Sequence, residues 1–261
     1  MPWKHSFLKY LIASYRFAAL LLKIGKGYFT VLVLFPFLDQ HARALEVQKW
    51  SINLLDCFGI IVQVEGAFTF KGPLLIVSNH ISWLDVLVLH SIGYCRFVAK
   101  SEISQWPVFG FLSKKTGMFF IERHKPRDAM KVVVQMTDAL LSGEVLAVFP
   151  EGTTGDGTSL LPFHTNLLQP AVSANAPIIP ICISYKDRSS DEPCHAPVFV
   201  GETTLLQSIW ATLTARPISA QVKVGGLSYC SARSRKEWSE ELHQLISALI
   251  ASPSPFAAER S

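Results

Sequence analysis

The sequence predicts an α/β fold: a mostly parallel sheet flanked by helices, with an N-terminal helical segment suited to a membrane interface. Three observations carry this. From about residue 59, short apolar runs alternate with helical segments, the pattern of right-handed crossovers between parallel strands. Several of those runs end in polar residues, and ligands of such sheets bind outside the carboxyl ends of the strands. Before Asp39 there is no acidic residue, whereas Lys4, Lys9, Arg16, Lys23 and Lys26 stand among apolar ones.

Taken in order, "GIIVQVEG" (59–66) and "PLLIVSN" (73–79) read as the first two strands. "WLDVLVLHSIG" (83–93) has helical length and a stop signal in Gly93. "RFVA" (96–99) is a short strand, and residues 102–117 form a broken helix before "MFFIER" (118–123). Residues 126–143 form an amphipathic helix with Pro126 at its start and Gly143 after its end. "EVLAVFP" (144–150) is a buried strand. Residues 163–176 form a helix interrupted at Pro170, and "PIIPICIS" (177–184) is the strand beside it. A polar loop follows over 185–197. A helix runs from about Lys236 to Ala251, and a disordered tail is expected after it.

The N-terminal region sets the localisation. Hydrophobic residues make up 49% of the chain and charged residues 17%, against a typical value of about 25%. The longest uncharged stretch here, Gly27 to Leu38, is short of the roughly 20 residues a spanning helix needs. Arg16, Lys23 and Lys26 also interrupt any signal-peptide core. One or two helices lying in an anionic lipid interface are therefore expected, with Lys and Arg stems snorkelling. The net charge of +4 is too mild for nucleic acid. Five scattered cysteines, none in C-x-x-C spacing, suit a reducing compartment and argue against a disulfide framework or zinc site. The chain divides into residues 1–50, the membrane-associating helices; 51–230, a catalytic domain; and 231–261, a terminal helix and tail.

Four strand ends deliver polar residues to one edge of the expected sheet: Asn79 and His80, Lys100, Glu122 and Arg123, and Glu151. Four blocks surround them. "NHISWLD" (79–85) resembles the N-H-x-x-x-x-D block of the glycerolipid acyltransferases of the lysophosphatidate acyltransferase type. "GMFFIER" (117–123), "FPEGT" (149–153) and "APIIPICI" (176–183) are similar to that family's second, third and fourth blocks. H-x-x-x-x-D alone is common by chance; four blocks in order are specific. They cover roughly residues 70–185.

The resemblance implies acyl transfer from acyl-CoA or acyl carrier protein to a lysolipid hydroxyl at a membrane, on the cytoplasmic face of the inner membrane. Lysophosphatidate, acylated at its sn-2 hydroxyl to phosphatidate, is the first expected acceptor. The acyl thioester is a co-substrate, and no metal or prosthetic group is implied. Such a reaction needs the attacking hydroxyl deprotonated, work suited to a histidine. The resemblance makes His80 the general base and Asp85 its orienter, with the substrate alcohol in place of a protein nucleophile. It makes Arg123 and Lys100 candidate phosphate ligands, Glu151 an acceptor-placing carboxylate, and Asn79, Gly152 and Thr153 part of the substrate site. Ser82 and Trp83 are expected to line the pocket, and His90, His124, His164 and His195 to have no catalytic role.

One departure matters. Many members carry Arg after the Glu-Gly-Thr block; here Thr154 stands, in "EGTTGDG". Some bacterial relatives with a similar stretch acylate lyso-ornithine lipid, which has no phosphate, and that acceptor is the alternative. A lipid-binding protein without turnover is the alternative of another class.

Overall fold

The computed structural model describes residues 2–122, 125–231 and 233–253, with residues 2–6 and 126 as backbone only. Its strands are β1 (Ile60–Glu65), β2 (Leu74–Ser78), β3 (Arg96–Lys100), β4 (Phe119–Ile121), β5 (Val145–Val148), β6 (Ile178–Asp187) and β7 (Ile218–Val224). Strands β2 and β5 are buried along their whole length, as apolar runs in a sheet covered on both faces must be. They pair in parallel near the middle of one seven-stranded sheet of order β1-β7-β6-β2-β5-β3-β4. Strands β6, β2, β5, β3 and β4 run one way. β7 is antiparallel to β6, and β1 is parallel to β7, so this pair is reversed relative to the rest.

The helices are α1 (Pro2–Phe29), α2 (Gln40–Phe58), α3 (Asp85–Ile92), α4 (Phe109–Lys115), α5 (Pro126–Leu141), α6 (Gln169–Ser173), α7 (Leu205–Thr214) and α8 (Arg235–Ala251). Alternation along the strands sends Ile76, Ala147, Ile181 and Ala220 to one face, where α1, α2, α3 and α7 pack. Leu75, Val77, Leu146 and Val148 go to the other, against Met136 and Leu140 of α5 and Trp238, Leu242 and Ile246 of α8. Helix α8, which the sequence set apart with the tail, is thus part of the core. Of the tail, Ser254–Ser261 lie outside the described residues.

Helix α1 continues through a π-helical turn (Thr30–Leu34) and a 3₁₀ turn (Phe35–Phe37) before the chain reverses into α2. The Asp39 side chain caps α2, accepting from Ala42 N at 2.7 Å. Gly59, at φ 69°, closes it in the left-handed region. Helix α2 therefore runs past residue 50, where the sequence reading divided the chain. Ala13, Leu20 and Val31 of the N-terminal stretch are buried, and Lys23 Nζ donates to Asn53 O at 2.6 Å. On the roughly opposite face Phe7, Leu11, Tyr15, Leu22 and Phe29 are exposed. Lys9, Arg16 and Lys23 recur every seven residues and so share one side. The stretch Phe7–Phe37, with a most apolar window of mean hydropathy 1.7, is long and apolar enough to cross a membrane by length and composition. The count of uncharged residues stops at the lysines and so does not register this length. Lys9, Arg16 and Lys23 border the packed face, whereas Lys26 is exposed at the margin of the apolar one.

Candidate active site

The β2–α3 connection builds the centre of the site. After Ser78 the chain leaves the sheet, and the turn Ile81–Leu84 closes with Asp85 N donating to Ser82 O at 3.1 Å. Asp85 then begins α3, fully buried, and its carboxylate points back over the turn. Oδ2 accepts from Ile81 N at 2.7 Å and Ser82 N at 2.9 Å, and lies 2.8 Å from His80 Nδ1. Oδ1 accepts from the Tyr185 hydroxyl at 2.7 Å. This explains the five-residue spacing: one tight turn lets a helix-initiating carboxylate reach back to both the turn amides and the imidazole. An ionised carboxylate only accepts, so it places the imidazole proton on Nδ1 and leaves the Nε2 lone pair free for a proton. Among the described residues, Nε2 has no hydrogen-bond partner, and the His80 side chain keeps 20% of its surface exposed.

Strand β5, next to β2, supplies the second half. The Phe149 ring stacks on the His80 imidazole, centroids 4.0 Å apart and planes 9° apart, and Phe97 stacks behind it at 5.7 Å. Glu151 is buried. Its Oε1 accepts from His80 N at 2.8 Å and its Oε2 from Leu161 N at 2.8 Å. Gly155 N donates to His80 O at 2.7 Å. The His80 backbone is thus gripped on both sides by residues 151–155, and Gly152, at φ 72°, makes the turn that allows it. Burial pushes the Glu151 carboxyl up from its ordinary range, opposed by the amides of Leu161 and His80. Both of its oxygens face backbone donors, so it braces the site, a use the sequence did not suggest.

The remaining predicted residues are spread over this edge. The buried Asn79 amide accepts from Ile183 N at 2.7 Å and donates to Ile183 O at 2.9 Å, locking the end of β2 to β6. Ser82 Oγ accepts from Leu84 N at 3.2 Å inside the turn. Trp83 Nε1 donates to Ser208 Oγ at 3.1 Å, and its ring meets Phe58 edge-on. Thr153 is exposed. Lys100 is exposed at the end of β3, two strands from β2. The Thr154 hydroxyl donates to Phe199 O, and Phe199 N donates to Ile81 O at 3.0 Å, so a further loop closes over the turn. Arg123 and His124 lie outside the described residues. His90 is a core residue at the far end of α3. Its Nε2 pairs with Cys95 O at 2.9 Å, and burial pushes its pKa down to about 4, so it is a neutral donor. The sequence reading missed Tyr185, Phe149 as a stacking partner, and the Phe199 loop. Phe149 sits inside a recognised block; nothing local marks the other two.

At the carboxyl edge of a mostly parallel sheet, a buried carboxylate orients a histidine in a way that can serve proton transfer with a hydroxyl. A family model described as an acyltransferase matches residues 60–184. A lyso-ornithine lipid O-acyltransferase of Rhizobium meliloti is 31% identical over 243 residues, covering 88% of this chain and 83% of the relative. A 1-acyl-sn-glycerol-3-phosphate acyltransferase of Neisseria gonorrhoeae is 29% identical, covering 70% of this chain and 71% of the relative. Among solved structures, the 1-acyl-sn-glycerophosphate acyltransferase PlsC of Thermotoga maritima has the same fold. The TM-score is 0.71 over 95% of this chain and 99% of that one, at 18% identity. The chain belongs to the glycerolipid acyltransferase family.

Proposed function

We propose that this acyltransferase moves a fatty acyl group from acyl-CoA or acyl carrier protein to the free hydroxyl of a single-chain lipid, with His80 as general base. The observation that carries the reading is the 2.8 Å contact of His80 Nδ1 with the buried Asp85 carboxylate, leaving Nε2 open. Nε2 takes the proton of the lipid hydroxyl as its oxygen attacks the thioester carbonyl. The tetrahedral intermediate then expels the thiolate, which takes the proton from the imidazolium, and an ester and a thiol leave. Asp85 stabilises the imidazolium in between.

The acceptor supported best is lyso-ornithine lipid. The Thr154 hydroxyl is spent on the Phe199 carbonyl, so the residue after the Glu-Gly-Thr block offers no cation for a phosphate. The Rhizobium meliloti relative, which spans most of the chain, carries that activity in its name. Lysophosphatidate is the second reading, favoured by the name of the neisserial relative and by the candidate cations Arg123 and Lys100. The test is kcat/KM for both lysolipids, in the wild type and in Thr154→Arg. Wild type should prefer lyso-ornithine lipid. Thr154→Arg should shift the ratio toward lysophosphatidate by roughly tenfold or more, the worth of one charge-assisted hydrogen bond. A wild-type preference for lysophosphatidate would establish the second reading.

The enzyme works at an anionic membrane surface, on the cytoplasmic face in this reading. The exposed apolar face of α1, with the exposed Lys26 at its margin, supports a helix lying in the interface, since its other side is committed to α2 and α7. Replacing the exposed Lys9 and Lys26 by Gln should weaken binding to anionic vesicles by about 1 kcal/mol per charge near the surface, while binding to neutral vesicles stays the same. Equal losses on both kinds of vesicle would remove the electrostatic contribution from the account.

A further inference from the structure

Among the described residues, Asp85 Oδ2 has three partners and Oδ1 has one: the hydroxyl of Tyr185, at 2.7 Å. Both residues are buried, so no solvent stands in if that bond is lost. The bond joins parts of the chain 100 residues apart, and its geometry is set from both ends. The turn amides of Ile81 and Ser82 fix the carboxylate. The paired bonds of the Asn79 side chain to Ile183 fix β6 against the turn. Tyr185, two residues further along β6, projects from the same face as Ile183 and so reaches under Asp85.

We propose that Tyr185 is a positioning residue for the acyl transfer. Its hydroxyl holds the Asp85 carboxylate in the rotamer that presents Oδ2 to His80, and tempers the charge that His80 feels. The inference rests on His80 being the general base. The titratable groups around the carboxylate are His80 on the turn, Glu151 from the end of β5, and Cys182 and Tyr185 on β6. Burial first, and the Asp85 charge with it, push the Tyr185 phenol well above its ordinary range, so it remains a donor throughout the working pH range.

The sign of the effect follows from the carboxylate. Without the Tyr185 donor, the buried anion is less well satisfied. It then either holds the His80 proton more tightly or takes a proton itself, and both outcomes move the acidic limb of the rate profile upward in pH. Tyr185→Phe keeps the ring and loses only the hydroxyl. Its kcat should fall by roughly ten- to a hundredfold, the range for a hydrogen bond to a charged group. KM should change by less than about twofold, since no substrate contact is removed. Incorporating 3-fluorotyrosine at 185, a stronger donor of nearly the same size, should move the acidic limb the opposite way, to lower pH. Tyr94→Phe serves as the control. It deletes a hydroxyl that donates to Thr116 O at 2.7 Å, at the other end of the sheet. It should lower Tm without moving the limb.

The outcomes separate the two claims. If His80→Ala is inactive while Tyr185→Phe keeps wild-type kcat and acidic limb, the positioning role is wrong and the general base stands. If His80→Ala is active, the general-base reading itself fails. Should Tyr185→Phe not fold, the fluorotyrosine enzyme decides, and an unmoved limb overturns the proposal.

Discussion

His80→Ala should lower kcat by about 10³-fold, within the range of lost general-base assistance. The protein should remain folded, because the imidazole is partly exposed and contributes one hydrogen bond and one ring stack. The Asp85 carboxylate left behind keeps the amides of Ile81 and Ser82 and the Tyr185 hydroxyl. Circular dichroism and thermal melting check the fold, and steady-state thiol release gives kcat. A folded His80→Ala enzyme with more than about a tenth of wild-type kcat would remove His80 from the role, since a general base contributes at least about 10²-fold.

Asp85→Asn should lower kcat by roughly 10²-fold or more, and the structure specifies how. Two backbone N–H groups point at the Oδ2 position, so the amide oxygen must settle there and the NH₂ group must turn to Tyr185. The imidazole therefore keeps its proton on Nδ1. What is lost is the negative charge that stabilises the imidazolium as the hydroxyl proton arrives. Because the two residues act as one unit, the His80→Ala/Asp85→Asn double variant should be no slower than His80→Ala alone. Losses that multiply across the double variant would mean that Asp85 acts independently of His80.

The two buried central strands and the turn that carries the dyad were legible because they are local. Apolar runs mark β2 and β5, and the His80–Asp85 spacing needs only one turn between them. What the sequence concealed is long-range. Tyr185 gains its meaning from a carboxylate 100 residues away, and Asn79 from Ile183, 104 residues away. Strand β7 was missed although Ser219, Gln221 and Lys223 alternate with apolar residues, the period of a strand with one solvated face. All three are buried and partnered instead: Ser219 with Gln63, Gln221 with Asp191, and Lys223 with the carbonyls ending α8. Hydrophobic period carries no strand direction, so the reversal of β1 and β7 was equally invisible. The second use of Glu151, gripping the His80 backbone, depends on how the 151–155 loop folds back and not on the residue type.

If His80 activates the lipid hydroxyl itself, no acyl group passes through the protein. Rapid-mixing thiol release from acyl-CoA, run with and without lyso-ornithine lipid and lysophosphatidate, tests it most directly. Thiol should appear only when a lysolipid acceptor is present, in step with the diacyl product, without an initial burst, and about 10³-fold more slowly in His80→Ala. A burst of thiol equal to the enzyme concentration in the absence of any lysolipid, with the acyl group recovered on the protein, would contradict it.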